Sequence, residues 1–83
     1  MNIKVLGTGC PNCKRLLANT KQAVHELGID AEVDMVDEIQ ELMKFKIMAT
    51  PALAINRQVR FSGRVATTEE IKRLVQMELG GEL

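Results

Sequence analysis

An α/β fold, with a four-stranded mixed sheet and helices on both faces, is predicted by three observations along this chain. It opens with a short apolar run, a long stretch at helical spacing and a second apolar run, which is the pattern of a βαβ unit. A short helical pattern is then stopped by Pro51, and two apolar runs joined by a tight turn follow. A capped helix closes the sequence, so the predicted order is βαβ-α-ββα. At 83 residues the chain predicts a single domain, 1–83, burying only about 60 to 65 per cent of its unfolded surface.

The first strand is predicted over Ile3 to Leu6, and Gly7-Thr8-Gly9 breaks it with residues that a tight turn needs. A helix begins at Cys10-Pro11-Asn12-Cys13, because proline suits the first helical position, where its missing N–H would have had no partner. Leu16, Leu17, Thr20, Val24 and Leu27 recur at helical spacing, and Gly28 supplies a left-handed stop. Ala31 to Val36 reads as a second strand. Asp37 is the predicted cap of a second helix, with Gln40 as its capping-box partner and Ile39, Leu42, Met43 and Phe45 as its apolar side. Pro51 keeps Thr50 out of helical backbone, so this helix stops before the pair.

Ala52 to Ile55 predicts a third strand, Asn56-Arg57-Gln58 a turn, and Val59 and Phe61 the apolar face of a fourth. After Ser62-Gly63, a capping box of Thr67 and Glu70 opens a last helix. Ile71, Leu74, Val75 and Leu79 hold one face of it until Gly80-Gly81. A right-handed first crossover makes strands one and two parallel, and the hairpin adds antiparallel strands.

Composition narrows the function. Lys and Arg balance Asp and Glu at 11 each, and Phe45 and Phe61 are the only aromatic residues. With no basic stripe and no stacking platform, nucleic acid is not an expected partner, and neither is a membrane. The opening Met1 to Leu6 is too short for a signal-peptide core, so the expected location is the cytoplasm.

Cys10 and Cys13 are the only cysteines. A disulfide between them closes so small a loop that it has little value as a staple, and in a reducing compartment two cysteines point to redox or metal chemistry. Cys10 falls at the mouth of the helix, where unpaired N–H groups and the positive end of the dipole stabilise a thiolate. Lys14 and Arg15 add nearby positive charge. Cys13 lies one turn further in, facing Cys10 but more covered. The catalytic residues are therefore expected to be Cys10, attacking a partner disulfide, and Cys13, resolving the mixed disulfide.

A strand, a CxxC at the mouth of a helix, Thr-Pro before a hairpin, then a glycine and a terminal helix resemble the thioredoxin fold in its compact, glutaredoxin-sized form. The likeness covers nearly the whole chain and is nearest to small thioredoxin-like redox-active disulfide proteins of bacteria and archaea. It implies a protein-disulfide oxidoreductase with no cofactor beyond the redox-active disulfide itself. It also implies a cis proline at Pro51, with Thr50 and Pro51 binding an extended substrate segment by strand addition. Implied partners are disulfide-containing proteins and a flavoprotein or ferredoxin-linked reductase, with the chain itself a monomer.

The chain also departs from both larger relatives. Gly9 stands where thioredoxins carry Trp, and Gly7 where glutaredoxins place a lysine for glutathione. Pro11-Asn12 is nearer to the dithiol glutaredoxin insert, and Ser62-Gly63-Arg64 replaces a double glycine with an acidic pair. The buried acid of thioredoxins has no counterpart, since Lys4 is the only charged residue on the first strand.

Two other readings compete. A soft-metal (copper) carrier also places a CxxC after its first strand, but it has Met where this chain has Thr8, and it ends on a strand. A redox-inactive module binding through Thr50-Pro51 would leave the cysteine pair unexplained. His25 lies twelve residues of helix beyond Cys13, about 18 Å away, and reads as a surface residue. Met35 and Met43 read as core, Met48 as part of an apolar rim near the cysteines.

Overall fold

The computed structural model describes residues 1–47 and 49–80. Met48 and Gly81, both named above, lie outside the described residues. The elements are β1 (Asn2–Leu6), α1 (Pro11–Leu27), β2 (Glu32–Val36), α2 (Ile39–Lys44), β3 (Ala52–Ile55), β4 (Gln58–Ser62) and α3 (Thr68–Glu78). The sheet runs in the order β2-β1-β3-β4, with β1 parallel to β2 and the β1–β3 and β3–β4 pairs antiparallel. This is the predicted mixed four-stranded sheet.

Alternation along the strands splits the core in two. Ile3, Val5, Leu53 and Ile55 face α1 and α3, where they meet Leu16, Ala23, Ile71 and Val75, all fully buried. On the other face Leu6, Ala52 and Ala54 are covered by Leu42 of α2, with Val36, Phe45 and Ile47 around them. The first face carries two long helices and most of the buried apolar surface, the dominant favourable contribution to folding. The second carries six residues of helix.

Local chemistry fixes the helix ends. Cys10 caps α1 with Pro11 as the first helical residue, and Gly28 at φ 65° ends it by donating to Val24 and His25. Thr67 caps α3 by accepting from the N–H of Glu70. The Glu70 carboxylate does not return the bond as a full capping box would, because it pairs with both terminal nitrogens of Arg64. Arg64 also lies 4.4 Å over the Phe61 ring, so the loop entering α3 is held from both sides.

Other expectations are corrected too. Asp37 does not cap α2: the strand hydrogen bonding extends through Val36, whose carbonyl accepts from Gly7, and Glu38 is still extended, so the helix starts at Ile39 with no side-chain cap. Met43 is not core, because only Leu42 of α2 is buried while Ile39 and Met43 are 68 and 71 % exposed. Leu79 is likewise half exposed at 54 %, lying past the last turn that packs on the sheet. In the β3–β4 hairpin, Asn56 (φ 51°) and Arg57 (φ 71°) both take the left-handed backbone that a two-residue turn demands, and a register shift near Ala54 turns Val59 outward.

Candidate active site

Cys10 ends the β1–α1 turn with an extended backbone (φ −67°, ψ 164°), and its sulfur fills the place that Ser or Asp normally takes at a helix cap. It accepts from the N–H of Cys13 at 3.3 Å, and the two sulfurs stand 2.6 Å apart as free thiols. Cys10 is half-buried, Cys13 fully buried.

This asymmetry sets the protonation. The Cys13 thiol, donating to Cys10, and then the Cys13 backbone N–H lower the Cys10 pKa below the ordinary thiol value. Burial, and next the loss of its proton's hydrogen bond if it ionised, raises that of Cys13. The pair therefore holds its first negative charge on the more accessible Cys10 sulfur and its proton on the covered Cys13 sulfur. Lys14 and Arg15 are exposed, and the lowering comes from the Cys13 hydrogen bonds.

Gly7 is a site residue whose role the sequence reading missed. It is buried, and a Cβ added there would overlap the Cys13 sulfur, lie 3.1 Å from Cys13 Cβ and reach to 3.9 Å from the Cα of Pro51. The end of β1, the buried thiol and the proline loop thus meet at one point where only hydrogen fits. Gly7 looked like a turn residue; the positive φ in that turn belongs to Gly9, at 83°.

The Thr50-Pro51 peptide bond is cis, as the resemblance implied. Pro51 is buried, and its carbonyl accepts from the N–H of Gly63 at 2.8 Å, tying the loop to the end of β4. Thr50 is exposed and lines a shallow apolar groove of about 320 Å³ with Ile39, Leu42, Met43, Ile47 and Ala49. Helical periodicity places Ile39 and Met43 inward and so does not predict this groove. His25 is exposed in the last turn of α1 and takes no part. Among the described residues no group of three or more His, Cys, Asp or Glu is gathered to hold a metal ion.

Comparison with known proteins agrees with this geometry. The family model described as "Thioredoxin domain" matches residues 1–76. A protein named thioredoxin from Methanothermobacter thermautotrophicus is 43 % identical over 75 residues, covering 90 % of this chain and 97 % of its own length. Another, from Methanocaldococcus jannaschii, is 39 % identical over 80 residues, covering 96 % of this chain and 92 % of its own. A probable thioredoxin from M. thermautotrophicus is 32 % identical over 83 residues. The chain belongs to the thioredoxin family and is a protein thiol-disulfide oxidoreductase.

Proposed function

We propose that Cys10 is the attacking and Cys13 the resolving thiol of this reaction. The Cys10 thiolate attacks one sulfur of a partner disulfide, forming a mixed disulfide and releasing the partner's other sulfur as a thiolate, which takes a proton. Cys13 then gives up its proton and attacks the Cys10 sulfur, expelling the second partner thiolate and leaving an internal disulfide. Two electrons pass to the partner, and a reductase returns them. The observation that carries this assignment is the unequal placement of two thiols 2.6 Å apart: Cys10 is half-buried at the cap of α1 and accepts from the N–H of Cys13, while Cys13 is fully buried.

Thr50 and Pro51 serve as the docking edge, where an extended partner segment pairs with the Thr50 backbone, and the neighbouring apolar groove receives a side chain from that segment. The single domain 1–83 works as a monomer and needs no cofactor beyond its own disulfide. Its reductant is a flavoprotein or ferredoxin-linked enzyme and its location the cytoplasm; no helix among the described residues is long and apolar enough to cross a membrane.

The roles are tested by substitution. Cys10→Ser abolishes disulfide reduction, whereas Cys13→Ser accumulates mixed disulfides that mass spectrometry resolves at Cys10. Trapping by neither variant would overturn the assignment. Equilibration in graded thiol-disulfide buffers should show one two-electron transition at about −200 to −280 mV.

A further inference from the structure

A concavity distinct from the apolar groove is lined partly by other residues of α2, Glu41 and Lys44. It measures about 300 Å³, at the lower end of small-molecule sites, and is lined by Lys4, Val36, Glu41, Lys44, Phe45 and Arg57. The three cations come from three separate elements: β1, the last turn of α2 and the β3–β4 turn. Glu41 is paired with Lys44 at 3.0 Å, so three cations against one carboxylate leave two positive charges facing the cavity. Neither Lys4, which is half-buried, nor Arg57 makes an ion pair among the described residues. Asp34, the register partner of Lys4 on β2, is exposed and not paired with it.

Arg57 is the cation whose backbone is unusual. It sits at φ 71° in the second position of a two-residue hairpin turn, where glycine is favoured and a side chain is strained. A side chain on backbone that glycine would adopt more easily directs attention to what that side chain touches. Here the side chain lines the cavity together with Lys4, Val36 and Phe45.

We infer that this cavity is a binding site for a small organic phosphomonoester, its dianion held by Lys4 and Arg57 and its organic part laid against Val36 and Phe45. A phosphomonoester carries close to two negative charges at neutral pH, matching the two cations that make no ion pair among the described residues, and the arginine fork suits phosphate oxygens. The apolar wall gives the organic part a surface that inorganic phosphate would not use. The site is separate from the dithiol and does not depend on the thiol roles.

The test is a titration of the ¹⁵N-labelled whole chain with adenosine 5′-monophosphate, inorganic phosphate and adenosine at constant ionic strength, followed by amide shifts. The nucleotide should give saturable shifts centred on Lys4, Val36, Phe45 and Arg57, with inorganic phosphate weaker and adenosine inert. Lys4→Gln and Arg57→Gly should each weaken nucleotide binding by about ten- to a hundredfold, the loss expected for one hydrogen bond to a charged group. Arg57→Gly should do so without lowering the thermal midpoint, since it relieves the turn. Linear shifts scattered over the charged surface, equal affinity for nucleotide and inorganic phosphate, or unchanged binding in both variants would each overturn the assignment.

Discussion

Replacing Gly7 with alanine perturbs the meeting point of strand, thiol and proline loop by one methyl group. The added carbon overlaps the Cys13 sulfur and lies 3.1 Å from Cys13 Cβ, while carbon contacts settle near about 3.5 Å. The sulfur must retreat by more than about 1 Å, and it cannot do so freely, because Cys13 is fully buried in the first turn of α1. Overpacking of this kind costs about 1 to 3 kcal/mol. For a domain of this size each kcal/mol lowers the melting midpoint by about 4 to 8 °C. A sulfur moved that far also loses its hydrogen bond to Cys10, the main cause of the lowered Cys10 pKa. The assay is thermal unfolding together with the pH dependence of Cys10 alkylation. Gly7→Ala should melt lower and shift the alkylation midpoint upward. Gly9→Ala is the control: its φ of 83° costs about 1 to 2 kcal/mol, yet no atom lies within 4 Å of the new carbon, so the thiol profile should stay put. A Gly7→Ala protein with native melting and a native alkylation profile would refute the reasoning, as would equal changes in the profile from both glycines.

Cys13→Ala should raise the alkylation midpoint of Cys10 toward that of an ordinary thiol, read by iodoacetamide kinetics against pH, because it removes the thiol donor while keeping the backbone N–H. Leu42→Ala should destabilise the fold by about 2 to 5 kcal/mol in urea unfolding, whereas Met43→Ser, at an exposed position, should change stability by less than about 0.5 kcal/mol and instead raise KM for a protein disulfide. Glu26 and Glu70 have carboxyl pKa values lowered by their hydrogen bonds to Lys72 and Arg64. Their contribution is complete above the unfolded carboxylate range and disappears as pH falls through the folded values. A Glu26→Gln, Glu70→Gln double variant should therefore flatten the acid limb of the stability curve, measured by the urea midpoint between neutral and acid pH.

Features that rest on neighbouring residues were legible in the sequence. Pro11 at the start of α1, Gly28 at its end, the Thr67 cap and the Asn56 turn each act within a few residues, and each stands where the pattern placed it. The CxxC at a helix mouth likewise disclosed the dithiol and which sulfur is covered. What escaped depends on distant parts of the chain. Helical spacing groups Ile39, Leu42 and Met43 on one side but does not say how wide a surface waits to cover them, and only Leu42 reaches it. Gly7 looked like punctuation because the need for a bare hydrogen there arises from Cys13 and Pro51, six and forty-four residues away. The spacing from Thr67 predicts that Glu70 reciprocates the cap, and Arg64, six residues earlier, draws its carboxylate away.

The unequal covering of the two sheet faces has a mechanical consequence. Amide protons of α1 and α3, anchored by the larger cluster, should exchange only on global unfolding, while α2, held chiefly by Leu42, opens locally at far lower cost. The dithiol is mounted on the first body and the apolar groove on the second. A grip that yields beside a cutting edge that does not lets one pair of sulfurs keep its alignment while accommodating disulfides in differently shaped surroundings.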